Sequence, residues 1–319
     1  MNIIEKLYTP IIFVAILIGM GLGQFQMVSR NAESFLVPLL MVMLYITFFQ
    51  VPLENIKHSF KNIRFTYVSL LINFLWTPFL AWGLASIFLG ENPALYIGFI
   101  MLMVTPCTDW YLIFTGIAKG NVALSTAILP LNLILQIILL PFYLLLFGGT
   151  TGVIELSFLA KSILVVLFLP LLLSFATTFL LRKRTEQKKR FLQNINVLPI
   201  ILLSLAIIAM FASQGELLME NLDVLWKIMI PILLFFVVNF FVGRLAGSVM
   251  NFPETWKTSL NMTTLARNSP IALAIAMTAF PNEPLIALAL VIGPLLELPV
   301  LAVVSQLLLF LSKKREKSA

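Results

Sequence analysis

The chain is nearly without cysteine, histidine and charge: 319 residues hold one Cys, one His and only 11% Asp, Glu, Lys and Arg, against about a quarter charged in soluble domains. Each shortage excludes a class of protein. One cysteine closes no internal disulfide, and one cysteine with one histidine cannot supply a zinc site of nitrogen and sulfur ligands. Charge this sparse cannot solvate the surface of a water-soluble enzyme. No His-Glu-x-x-His marks a metalloprotease, and no second membrane aspartate joins Asp109 to make an aspartyl protease. Apolar side chains, by contrast, make up 60% of the chain. The net charge of +7 would suggest nucleic acid in a soluble protein, but here the bases sit in short breaks between long apolar runs. That placement is membrane topology, and the lipid bilayer is the first partner implied.

A helix needs about 20 apolar residues to cross the hydrocarbon layer. Ten such spans are expected, at 10–28, 34–52, 65–90, 94–118, 122–148, 156–181, 195–213, 224–249, 255–280 and 284–312. No ten-residue segments alternate apolar with polar, as a membrane barrel requires. Loop charges test the count. Lys57, Lys61 and Arg64, then Lys119, the Arg182–Arg190 cluster, Arg244 and Lys257, and Lys313 to Lys317 all fall on one side. With Lys6, that side holds 17 of 21 bases, whereas Glu33, Glu91, Glu155, Glu216, Glu220, Asp223 and Glu283 fall on the other. The bias places both termini in the cytoplasm of a multi-pass protein of the cell membrane. The run from Pro10 to Val28 follows Glu5 and Lys6 and has no small-residue cleavage site, so it reads as span one and not a signal peptide.

Two stretches carry matching punctuation. Val-Thr-Pro-Cys-Thr-Asp precedes Ala-Ile-Leu-Pro-Leu-Asn, and Arg-Asn-Ser-Pro precedes Val-Ile-Gly-Pro-Leu-Leu-Glu; Pro106 to Pro130 and Pro270 to Pro294 are each 24 residues apart, so one shift of 164 superposes both pairs. Five spans separate the copies, which must then cross in opposite senses. An inverted repeat, 1–150 and 151–319, is the mark of a secondary transporter. Pro106 and Pro270 fall near mid-span, where each removes a helical hydrogen bond, and polar neighbours (Thr105, Cys107, Thr108, Asp109; Thr263, Thr264, Arg267, Asn268, Ser269) surround both. Helix breaks are expected at both, because unwound backbone at membrane depth persists only inside protein or beside a watered cavity.

Asp109, Arg267 and Glu297 are the charges left near mid-membrane. Each costs about 2.5 to 3.5 kcal/mol at a helix centre on the insertion scale. Pairing Asp109 with Arg267 is the cheapest arrangement, and Glu297 is then the unmatched acid, available to carry a proton, face a cationic site or hydrogen-bond. Cys107 follows Pro106 and would open the second half-helix, whose N-terminus favours the thiolate, a ligand for thiophilic elements. Asn132 and Gln136, with Ser125 and Thr126, could add hydrogen bonds to the same cavity, although such residues also join helices with no substrate present. His58 lies in a basic loop.

At these residues the chain resembles the bile acid:sodium symporter superfamily, and within it the arsenite efflux permeases. The match is coarse over the whole length and specific at Thr105 to Thr108 and at Gly293 to Val300, Gly-Pro-Leu-Leu-Glu-Leu-Pro-Val. The resemblance implies an all-α fold of ten transmembrane helices in two inverted five-helix repeats, with a panel of spans 1, 2, 6 and 7 and a core of spans 3–5 and 8–10. Spans four and nine would unwind and cross, with substrate beside the crossing. It also ties Cys107 and Glu297 to arsenite transport. Sodium-coupled members carry Glu and Gln in the broken part of span nine; if Asn268 is the matching asparagine, Thr263 and Arg267 stand there instead. A guanidinium at a cation's place repels sodium. Asp109 and Trp110 also depart from the arsenite permease pattern.

The expectation is a transporter, not an enzyme, with no cofactor and no metal site, Cys107 serving only as a ligand to arsenic. It exports arsenite or a related trivalent metalloid by proton antiport or without coupling; the alternative is a carrier of a small organic anion held by Arg267. Substrate-binding candidates are Cys107, Thr108, Asn132, Asn268, Ser269 and Glu297. Asp109, Arg267 and Glu297 are the candidates for the charge pair and for coupling.

Overall fold

The structure, a computed structural model, describes residues 8–51, 60–108, 110–149, 156–181, 195, 197–220 and 222–316. Asp109, Lys6, Lys57, His58, Glu155, the Arg182–Arg190 cluster and Lys317 lie outside them. Among the described residues all regular structure is helical. The helices are α1 (Tyr8–Gly23), α2 (Gln26–Gln50), α3 (Ile63–Phe88), α4 (Pro93–Val104), α5 (Trp110–Ile117) and α6 (Val122–Gly148). Then come α7 (Leu156–Ser162 running on to Leu180), α8 (Leu198–Glu220), α9 (Leu222–Val249), α10 (Glu254–Leu265), α11 (Ser269–Ala279) and α12 (Pro284–Glu316). Six of these (α2, α3, α6, α7, α9 and α12) contain stretches long and apolar enough to cross a membrane; α1, α4, α8 and α11 contain shorter apolar stretches.

The first turn falls earlier than the polar residues suggest. α1 stops at Gly23, Gln24 and Phe25 make the turn, and α2 already begins at Gln26, so Arg30 and Glu33 are helical and exposed. Two turns of polar helix replace the loop expected at 29–33. Asn31 helps to hold them by donating to the Met27 carbonyl at 2.8 Å.

Two helices carry a π-turn followed by proline. Ile72–Trp76 precedes Pro78 in α3, and Ile163–Phe168 precedes Pro170 in α7. Proline cannot donate to the carbonyl four residues back, which for Pro78 is Phe74. That carbonyl accepts a hydrogen bond from the Tyr143 hydroxyl of α6 at 2.5 Å. A freed carbonyl in an apolar interior is thus repaired by a neighbouring helix.

Glycines set the closest helix contacts. A Cβ on Gly19 would lie 2.7 Å from the Ile208 carbonyl oxygen, and one on Gly23 would lie 2.8 Å from that of Ala212, so α1 and α8 touch backbone to backbone. α2 packs on the same α8, making a block of three. On the other side α4, buried along nearly all its length, packs on α12. There Gly98 meets Ile286 and Ala289, and Gly293 meets Leu102. Small residues allow this approach where lipid provides no hydrophobic drive between helices.

Candidate substrate site

The stretches 94–118 and 255–280, expected as spans four and nine, are each two helices in the structure. α4 ends at Val104 with Thr105 extended, and α5 starts at Trp110; α10 ends at Leu265 with Ala266 extended, and α11 starts at Ser269. The breaks bind each other. Pro106 and Arg267 form an antiparallel bridge, in which the Cys107 N–H donates to the Ala266 carbonyl at 3.0 Å and the Asn268 N–H donates to the Thr105 carbonyl at 2.7 Å. Each unwound segment thereby satisfies amide groups that no helix serves.

The prolines act differently. Pro106 lies in the break itself, whereas Pro270 is the second residue of α11, where its missing N–H costs no helical bond. The Asn268 side chain caps α11 by accepting from the Ile271 N–H at 3.4 Å, and its amide donates to the Thr108 hydroxyl at 3.2 Å. Thr105 donates back to Met101 and across to the Asn268 carbonyl. Ser269 donates to the Leu290 carbonyl of α12. Cys107, 3% exposed, stands in the extended segment three residues before α5 and does not open that helix. Its amide is already committed to Ala266, so backbone geometry and not a helix end sets its place.

Arg267 is buried to 2% exposure. Its Nε donates to the Leu265 carbonyl at 3.1 Å, Nη1 to the Met103 carbonyl at 2.8 Å, and Nη2 to the Thr264 carbonyl and to Asn73 Oδ1, the latter at 3.1 Å. The Phe235 ring lies 5.3 Å away, within cation–π reach. The three carbonyls belong to the C-terminal turns of α4 and α10, the negative ends of those helices, and a guanidinium both satisfies them and complements their dipoles. Asp109, expected to pair with Arg267, lies outside the described residues. Glu297 is not without a partner: its Oε1 accepts from the Arg267 backbone N–H at 2.8 Å. Its carboxyl is 3% exposed, in the stretch of α12 between Pro294 and Pro299.

The N-terminal ends of α5 and α11 face a cavity of about 30 Å³. Trp110, Asn268 and Pro270 line it from the crossing, Met43, Leu44 and Thr47 from α2, and Pro199, Ile200 and Leu203 from α8. Positive helix ends on one wall suit a polar oxygen or an anion. Asn132 lies elsewhere: it is fully buried in α6 with neither amide atom bonded to the crossing.

Two asparagines absent from the sequence argument hold the site together. Asn73, in the α3 π-turn, accepts from Arg267 and donates to the Thr263 carbonyl at 3.3 Å. Asn239 accepts from the Trp76 indole at 2.9 Å and donates to Thr77 and the Thr264 carbonyl. Their signal was a polar residue inside an apolar run, the same signal that singled out Asn132 and Gln136 above.

Long apolar helices packed around two interrupted ones, with polar groups gathered at the interruption, define a multi-pass membrane protein of the transporter class. The chain belongs to the Sodium Bile acid symporter family, whose model matches residues 37–221. It is 26% identical over 288 residues to an arsenical-resistance protein Acr3 of Corynebacterium glutamicum, covering 86% of this chain and 78% of that one. It is 24% identical to the Acr3 of Alkaliphilus metalliredigens (93% and 90% covered) and 23% identical to an uncharacterized transporter of Synechocystis (94% and 87% covered).

Proposed function

We propose that the protein exports trivalent arsenic as arsenous acid, or a related neutral metalloid, across the cell membrane, with a proton exchanged at Glu297. The observation that carries this reading is the meeting of Cys107 and Glu297 at one crossing. The cysteine amide binds Ala266, and the carboxyl binds the next residue, Arg267. The relatives named for arsenical resistance support it. A single soft sulfur binds arsenic without trapping it among several thiolates. Hydrogen bonds from the Thr108 and Ser269 hydroxyls and the Asn268 amide suit a neutral hydroxylated acid. The chain would cross the membrane ten times as two inverted five-helix repeats, 1–150 and 151–319, with both termini in the cytoplasm.

An organic-anion carrier would use Arg267 as the recognition group, yet four of its five N–H donors are committed to carbonyls and Asn73. That favours the metalloid. The test is arsenite uptake into everted vesicles with and without a proton gradient. Accumulation is expected, faster with the gradient; no arsenite uptake beside uptake of a small carboxylate would replace this reading with the other.

A further inference from the structure

The cavity at the crossing, about 30 Å³, has room for little more than water. Its polar groups do little to choose a cargo. Asn268 faces it from the crossing, and on the wall made by α2 and α8 Thr47 is the one polar residue beside Met43, Leu44, Pro199, Ile200 and Leu203. An amide, a hydroxyl and two helix N-termini accept many small oxygen compounds. Selection must then come from size. The thiol adds a second condition: Cys107 is 3% exposed and is not among the residues that line the cavity. Cargo in the cavity therefore reaches it only when a lining group gives way.

On the side of the crossing the lining groups are Trp110, Asn268 and Pro270. Asn268 is fixed at both ends, its N–H on the Thr105 carbonyl and its side chain on the Ile271 N–H and the Thr108 hydroxyl. Pro270 is part of the first turn of α11, and its ring has no free torsion to turn about. Trp110 differs from both. It is the largest side chain on the cavity, partly buried against the main core, and it stands three residues after Cys107 as the first residue of α5. Its indole can turn about the Cα–Cβ bond without disturbing the backbone bridge between Pro106 and Arg267.

We propose that Trp110 is a specificity-determining residue: its indole limits what reaches Cys107 to solutes the size of arsenous acid and excludes trivalent arsenicals in which an aryl group replaces a hydroxyl. Phenylarsonous acid keeps the arsenic and two hydroxyls, so it offers the thiol and the polar groups the same chemistry and differs in bulk. The assignment rests on the metalloid reading for its cargo; as a filter on access to the thiol it stands without that reading.

Because the chain has one cysteine, access can be read by labelling. Methyl and benzyl methanethiosulfonate modify the same thiol and differ in size, and mass spectrometry of the purified protein in detergent follows both rates. In Trp110→Ala the benzyl rate relative to the methyl rate should rise about tenfold or more, the discrimination that a methylene's worth of steric fit provides. Trp110→Phe should fall between. A rise shared equally by both reagents would mean that the substitution merely loosens the crossing, and no rise would mean that the indole does not limit access; either overturns the proposal. In everted vesicles Trp110→Ala should also raise uptake of phenylarsonous acid relative to arsenous acid. An unchanged uptake ratio in a protein that transports arsenite would overturn the specificity claim. A shifted labelling ratio with no arsenite uptake by the wild type would keep the filter and remove the arsenite reading instead. If Trp110→Ala does not fold, Trp110→Leu and Trp110→Phe carry the same comparison, and labelling ratios equal to wild type in both would count against the proposal.

Discussion

The one thiol of the chain stands at the crossing, so the first consequences are at the residue scale. Cys107→Ser keeps a similar size and the backbone bond to Ala266 but loses the soft ligand. Arsenite export should fall to background while membrane insertion and melting temperature stay near wild type; undiminished resistance in cells would remove the thiolate from the mechanism. Glu297→Gln preserves an oxygen to accept from the Arg267 N–H. It should still permit substrate exchange yet lose acceleration by a proton gradient, and gradient-driven uptake across a pH series measures this. Coupling retained in the Gln variant would return Glu297 to a purely structural role. Cys107 and Glu297 were legible in the sequence because rare residue types in apolar runs stand out. The contacts of Arg267 were not, since its carbonyl partners are backbone atoms that no residue type announces.

At the scale of elements, the repair of the α3 π-turn yields a double-mutant cycle. Tyr143→Phe leaves the half-buried Phe74 carbonyl without its donor, and the loss should cost about 1 kcal/mol, the low end of the range for an unsatisfied buried group. In Pro78→Ala the restored N–H can reach that carbonyl itself, so adding Tyr143→Phe to it should cost much less than in the parent. Denaturation in detergent reads the difference; equal penalties in both backgrounds would mean that Tyr143 does not compensate for the proline. The turn between α9 and α10 offers a pH test. Burial raises the Glu254 pKa, but hydrogen bonds and charge from Arg244 and Lys257, at 2.9 and 3.1 Å, outweigh it and hold the carboxyl below its ordinary value. A lowered folded-state pKa gives stability that is present at neutral pH and is lost as pH falls through that lowered value. The pair is partly exposed, so the gain is modest, under about 1 kcal/mol. The melting temperature of Glu254→Gln should lie slightly below wild type at pH 7 and converge with it in acid.

Helix positions were mostly readable from apolar length, and the interruptions from Pro106 and the polar residues around 263–269. The early start of α2 was not readable, because a polar helix end and a loop have the same composition. Nor did the sequence separate a proline that sits in a break from one that begins the next helix. That distinction depends on which carbonyls the neighbouring chain can serve.

At the scale of the whole molecule, the cage around Arg267 bears on the driving ion. Three carbonyls and an amide oxygen that could coordinate a metal cation already hold a guanidinium. Arsenite transport should therefore be indifferent to replacing sodium with choline. A steep sodium dependence in reconstituted vesicles would contradict this.

The glycine contact between α1 and α8 has a mechanical corollary. Two backbones already touching have no clearance, so neither Gly19 nor Gly23 can slide past α8 without a steric collision. The space beside the crossing, about 30 Å³, admits little more than water, and a larger cargo must push its walls apart. One wall belongs to α2 and α8, the latter held against α1 by this contact. The surfaces that must part to admit it are therefore Met43, Thr47 and Leu203 on one side and Trp110 and Pro270 on the other.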